Sequence, residues 1–268
     1  MIDAGAAVLR ARPESEASVN APAPTPRPRG SVRDAEPGYV LHTYAFKETS
    51  LVAEAFTRNA GRVGLVAKGA RRPTSALRGA LMAFQPLLLT WSGKSELKVL
   101  HRAEWQGGQA QMTGLPLICG FYLNELLLKL LPRDDAHETL FDGYEQALAE
   151  LRDGAEPVAL VLRRFERLLL SELGYGLALT SDAQGTPIAA ERDYVYVVER
   201  GAVPADEAHA DASLPMLRGA ALLAIAHDDY RDPGILPQAR GLMRYILNHY
   251  LGGKELYTRQ LLREMQQL

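Results

Sequence analysis

From residue 39 onward the apolar positions fall in short runs separated by turn residues, and the run length predicts strands. Residues 39–46 are rich in β-forming side chains, 49–58 carries Leu51, Val52 and Phe56, and Asn59-Ala60-Gly61 marks a tight turn before 62–67. Two further strands are expected at 85–91 and 97–105, after a loop over 71–84. Five short strands with no helix long enough for a parallel crossover imply a small antiparallel barrel. After Gly114 the period becomes helical. Residues 115–131 are apolar on nearly every side, as in a buried central helix, whereas 136–152 is amphipathic. Residues 156–173 set Val158, Val161, Leu162, Phe165, Leu168, Leu169 and Leu173 on one stripe, stopped by Gly174 and Gly176. A polar stretch leads to a strand pair near 194–198 and 202–203. Helices at 213–228, 237–250 and 257–267 then close the chain. The fold class is α+β, a five-stranded barrel followed by a helical domain with a β-hairpin insertion at about 177–205.

Residues 1–38 have another character. They are rich in Ala, Pro and Arg, with Pro22, Pro24, Pro26 and Pro28 at alternate positions, so they bury too little apolar surface to order themselves. They read as a disordered tail before a barrel at 39–110 and a helical domain at 111–268. No compact apolar stretch follows a basic start, so no secretory signal is expected. No run of about 18 apolar residues occurs, because Asn124, Glu125 and Lys129 interrupt the best candidate. The single cysteine, Cys119, lies in that apolar helix and reads as a small core residue. One thiol cannot form an internal disulfide, which suits a reducing cytoplasm.

Charge adds what periodicity does not supply. The formal net charge is -2, yet Arg62, Lys68, Arg71, Arg72, Arg78, Lys94, Lys98 and Arg102 face only Glu96 between residues 62 and 102, so that segment carries +7 and the remainder -9. Segregation of this kind creates a positive field suited to a polyanion. The alternative is strand edges defended by solvated cations. Lys68-Gly69-Ala70-Arg71-Arg72-Pro73 falls at a strand end, where Gly69 and Pro73 shape a loop that projects arginines from the barrel rim. Phe84, Trp91 and Trp105 lie among these charges, with Tyr44 and Phe46 on a preceding strand. Rings beside cations stack on unpaired bases in nucleic-acid channels, or else they fill a small core. Trp91 is counted with the DNA-binding set.

Catalytic signatures are poor. Gly252-Gly253-Lys254 is followed by Glu255 and lacks the upstream glycine of a phosphate loop, and no Gly-x-Ser-x-Gly elbow appears. His137-Glu138 lacks the second histidine of a zinc protease helix, and His227-Asp228-Asp229 reads as a helix end. No enzyme, metal site or cofactor is expected.

Several motifs resemble the bacterial recombination mediator family RecO. They are Tyr39-Val40-Leu41-His42, Glu48-Thr49-Ser50-Leu51, Val66-Ala67-Lys68-Gly69-Ala70-Arg71, Phe84-Gln85-Pro86-Leu87 and Tyr122-Leu123-Asn124-Glu125-Leu126, then Leu162-Arg163-Arg164-Phe165-Glu166, Leu173-Gly174-Tyr175-Gly176 and Tyr250-Leu251-Gly252-Gly253-Lys254. The resemblance runs from about Tyr39 to the C-terminus. It implies that the barrel is an oligonucleotide-binding (OB) fold. It also implies DNA repair and recombination in the cytoplasm at the nucleoid: binding single- and double-stranded DNA, annealing complementary strands and, with RecR, loading RecA onto strands covered by single-strand-binding protein. The acidic tail of that last protein is expected on Arg163, Arg164 and Arg167, flanked by Leu162 and Phe165, with Arg163 as the leading contact. Several relatives carry four cysteines after the Leu-Gly-Tyr-Gly motif, whereas residues 177–205 contain none here, so no structural zinc is expected. An RNA-binding barrel of translation or RNA processing would present the same basic patch, because stacking platforms do not reject ribose.

Overall fold

A computed structural model of the chain describes residues 32–208 and 214–265. Strands β1 (Val32–Phe46), β2 (Ser50–Thr57), β3 (Gly61–Ala67), β4 (Leu87–Ser92) and β5 (Leu97–Trp105) close into a barrel in the order β1-β2-β3-β5-β4, with β4 returning to β1. This is the OB fold. Four of its seams are antiparallel, but β3 and β5 run parallel, which corrects the all-antiparallel expectation. The link from β3, which includes a helical turn α1 (Leu77–Ala80), delivers the chain to β4 on the far side, so β5 must run alongside β3 to close the ring. Val40, Ala53, Ala55, Val63, Leu65, Leu87, Leu89 and Leu100 fill the interior from alternate strand positions.

Strand β1 starts at Val32 rather than Tyr39, which corrects the boundary of the expected tail. Residues 1–31 lie outside the described residues, together with Arg27 and Arg29. Val32, Arg33 and Glu36 to Gly38 pair with β4, whereas Gly38 to Phe46 pair with β2. Register shifts between Arg33 and Glu36 and between Val40 and His42 bend the strand so that it serves both neighbours.

The helical domain contains α2 (Gly114–Leu130), α3 (Glu138–Asp153), α4 (Val158–Glu172), α5 (Gly219–Ala226), α6 (Ile235–Tyr250) and α7 (Tyr257–Met265). The expected hairpin is a three-stranded sheet: β6 (Asp193–Val197) lies between β7 (Gly201–Pro204) and β8 (Met216–Arg218). The third strand comes from residues expected to begin a helix. At Gly219 a Cβ would approach the carbonyl oxygen of Ala189 to 1.9 Å, and its N–H donates to Arg192. The backbone is thereby held against the insertion, and helix α5 begins only there.

The two domains share one core, in which Tyr39, Leu41 and Phe56 of the barrel pack with Leu123, Phe141, Tyr144 and Phe165. Tyr39 meets Tyr144 edge-on at 5.4 Å between ring centroids. Asn124 donates to the Leu41 carbonyl at 2.9 Å and accepts from the Tyr144 hydroxyl at 2.6 Å, so both ends of its buried amide are used. Gly61, at φ +67°, lies so close to the α2–α3 link that a Cβ would overlap the Asp135 carbonyl.

Candidate nucleic-acid and peptide interfaces

Residues two apart on a strand share a face, so His42, Tyr44 and Phe46 line up along the outside of β1. His42 and Tyr44 are exposed, with ring centroids 5.4 Å apart. The row leads into the β1–β2 turn, where Lys47 has φ +52° and lies over the Phe46 ring. That turn is tied to the basic loop after β3, because Arg71 donates its backbone N–H to Thr49 at 2.9 Å and a side-chain N–H to the Glu48 carbonyl at 3.2 Å. Lys68, Arg71, Arg72, Arg78 and Lys94 are all exposed. None of them pairs with a carboxylate among the described residues.

Three expected contacts lie elsewhere. Trp91 is 2% exposed and fills the barrel interior, because its position on β4 alternates inward with Leu87 and Leu89. Arg62 donates to Glu54 at 2.9 Å and to the Leu131 carbonyl at 2.8 Å, which makes it part of the domain joint. Lys98 pairs with Asp134 at 2.6 Å in the same joint. Arg102 is exposed but paired with Glu104. The centre of the joint is Glu54, which accepts from Tyr44, Arg62 and Arg133. Burial pushes its carboxyl up, but hydrogen bonds from Arg133 and Tyr44 outweigh that effect and hold it below the ordinary value. Burial and the Glu54 carboxylate push the Tyr44 hydroxyl up to about 12.

A groove of about 300 Å³ opens between α2, α4, α6 and α7. Leu115, Cys119, Tyr122, Val158 and Leu162 form its apolar lining. Arg163, Arg240, Arg244, Arg259 and Arg263 rim it. Tyr122 donates to buried Glu166 at 2.5 Å, and Arg163 donates to the same oxygen at 2.6 Å. The Arg163 Nε has no partner. Burial raises the Cys119 thiol to about 11, so this cysteine is a packed apolar group rather than a nucleophile.

The expected peptide cluster is thus divided by the helix. Arg163 and Leu162 face the groove, whereas Phe165 is sealed in the core. Arg164 pairs with Asp228 at 2.8 Å, and Arg167 donates to the Ile225 and Ala226 carbonyls, capping the end of α5. Both line a separate polar cavity. Arg240 and Arg244 escaped the sequence reading. The signal available was two arginines four residues apart on an amphipathic helix containing no acid.

Comparison with known proteins decides the family. Residues 34–108 match the model described as Recombination protein O N terminal, and residues 113–260 match Recombination protein O C terminal. The chain belongs to the recombination protein O family. It is 53% identical over 237 residues to "DNA repair protein RecO" of Nitrosospira multiformis, covering 88% of this chain and 97% of that protein. The protein of the same name from Aromatoleum aromaticum is 52% identical over 88% of this chain and 97% of its own length, and that from Ralstonia nicotianae 49% over 87% and 85%. RecO membership carries a role in DNA repair and recombination. The zinc of cysteine-bearing relatives does not fit the residues here. The insertion offers no thiolate, and Asp182 spends a carboxylate oxygen on the N–H groups of Gln184 and Thr186, closing its own turn. No described helix is long and apolar enough to cross a membrane.

Proposed function

We propose that the chain is a non-catalytic recombination mediator that binds single- and double-stranded DNA along the outer face and rim of its barrel and anneals complementary strands. The observation that carries this reading is a set of five exposed cations without carboxylate partners among the described residues, Lys68, Arg71, Arg72, Arg78 and Lys94, on a barrel that also presents the His42, Tyr44 and Phe46 row, to whose end the Arg71 loop is tied. Cations without partners keep their full field for phosphates, while the ring faces suit unpaired bases. With RecR it would help load RecA onto strands covered by single-strand-binding protein, acting in the cytoplasm at the nucleoid. The acidic tail of single-strand-binding protein would dock in the arginine-rimmed groove, where an aromatic end finds an apolar floor and carboxylates find guanidinium groups.

The test is affinity for labelled single-stranded DNA across a salt series. Log affinity falls linearly with log salt if phosphate contacts carry binding. Competition by RNA of the same base sequence separates the mediator reading from that of an RNA-binding barrel, since preferential displacement by RNA would favour the latter. Co-purification with RecR and single-strand-binding protein tests the assembly.

A further inference from the structure

Two motifs that DNA binding at the barrel leaves unused are Leu173-Gly174-Tyr175-Gly176 and Tyr250-Leu251-Gly252-Gly253-Lys254. Both form helix ends. After α4, Gly174 at φ +80° donates its N–H to the Ser171 carbonyl at 3.0 Å, and the Tyr175 N–H reaches back to Leu170 at 2.8 Å. After α6, Gly252 at φ +60° donates to His249 at 2.9 Å and Gly253 at φ +73° to Asn248 at 3.1 Å. A left-handed glycine permits such paired caps, and each cap fixes the tyrosine at its helix end. Tyr175 and Tyr250, remote in sequence, are thereby brought into a stack with ring centroids 3.7 Å apart and planes inclined by 16°.

The stack lines a cleft of about 330 Å³, bounded by the link after α4, the β6–β7 turn and α6. Buried Tyr196 lines it as well, and burial pushes its hydroxyl up to about 12, so it stays a neutral donor at neutral pH. Glu199 and Arg200 stand in the turn and are exposed. Tyr175 is 39% exposed although Tyr250 covers one face of its ring, so the opposite face is open as a platform. A hydrocarbon side chain on that platform would leave the carboxylate, the guanidinium and the hydroxyl without a use. A nucleobase matches both parts, because its face stacks on the ring and its edge carries donors and acceptors. Glu199 accepts and Arg200 donates, so the edge contacts do not demand one base, as annealing of any sequence requires. Lys254, exposed just beyond α6, adds a cation for a flanking phosphate.

We propose that this cleft takes an unpaired base of a second DNA strand, stacked on Tyr175, while the barrel holds the first strand. This rests on the reading of the chain as a strand-annealing protein. The experiment uses the full chain and a single strand carrying the photoreactive base 5-iodouracil, whose crosslinks are mapped along the protein. In the wild type they fall on Tyr175 or Tyr250 as well as on the barrel. In Tyr175→Ala the cleft crosslinks are lost and annealing at limiting second strand slows about tenfold, the size of one stacking contact, whereas affinity for one strand stays within about twofold. Tyr175→Phe keeps the ring and retains both readouts. Cleft crosslinks missing from the wild type, or annealing unchanged in Tyr175→Ala, overturn the proposal and leave DNA binding at the barrel standing. Crosslinks suppressed as well by a deoxynucleoside monophosphate as by unlabelled strand overturn it in favour of a free nucleotide. Loss of RecR or single-strand-binding protein from Tyr175→Ala on co-purification, with no cleft crosslink in the wild type, overturns it in favour of a protein occupant. Failure of the wild type to bind the strand at all overturns both the DNA-binding reading and the proposal.

Discussion

Glu54 is sealed from water on the outside of β2, and its three donors come from β1, β3 and the α2–α3 link. Removing the carboxylate in Glu54→Ala leaves Arg62 without a carboxylate partner and Arg133 with only the exposed Glu96, at an expected cost of about 2–4 kcal/mol because Arg133 keeps some solvent. A denaturant titration measures it. The carboxyl is depressed in the folded state, so its contribution is fully present above the unfolded value of about 4.3 and is lost as pH falls through the folded value. Glu54→Gln therefore flattens the loss of stability on acidification below about pH 5, read from melting temperature against pH. Two aromatic residues one strand apart in the barrel separate packing from function. Trp91→Ala costs about 3–5 kcal/mol of stability. Tyr44→Ala weakens single-stranded DNA binding by about 1–3 kcal/mol and costs only about 1 kcal/mol of stability, from its hydrogen bond to Glu54. Equal DNA affinity in Tyr44→Ala would remove the β1 face from the interface. Trp91 was legible as an aromatic among charges, but a ring one position along a strand points to the opposite side of the sheet, and only register decides which side that is.

At the level of elements, β1 gives the clearest prediction. Glu36 accepts the Asn59 N–H at 2.6 Å, and residues 32–38 close the barrel against β4. Deleting residues 1–38 should lower the melting temperature sharply, because an open barrel exposes two strand edges. An unchanged melting curve would mean that the segment does not contribute to closure. The insertion gives the second prediction. Its sheet is held by strand pairing, by the Asp182 turn and by the pairs of Arg192 with Asp206 and Glu207 at 2.7 and 2.9 Å. Chelators should leave the melting temperature unmoved, and metal analysis showing stoichiometric zinc would refute this account. The helices α2, α3, α4 and α6 were legible to within a few residues, since each carries an apolar stripe longer than any strand. Strand β8 was not legible. Three residues carry no measurable period, and their extended form follows from pairing with β6 and from the close approach at Gly219.

Across the whole molecule, the basic rim belongs to the barrel and the arginine-rimmed groove to the helical domain, so the two should be separable by mutation. Arg71→Glu with Arg72→Glu should weaken DNA binding to all base sequences alike and reduce the salt slope by about 1.4 for single strands if both side chains meet phosphates, while peptide binding in the groove persists. An unchanged slope would place the phosphate contacts elsewhere.

The sequence alone determined a small five-stranded barrel, a helical domain after it and the exposed cations Lys68, Arg71, Arg72, Arg78 and Lys94, because period, turn chemistry and charge density are local properties of a chain, while its motifs carried the family resemblance. Only the tertiary structure decided which cations stay uncompensated. Arg62 and Lys98 are drawn into the joint by Glu54 and Asp134, which are 8 and 36 residues away in sequence. It also decided that Arg163 and Arg164, adjacent in one motif, serve different cavities, since successive residues on a helix point about 100° apart and meet different neighbours. The groove itself was hidden for the same reason: its arginines come from three helices, and no local pattern records that packing brings them to one opening.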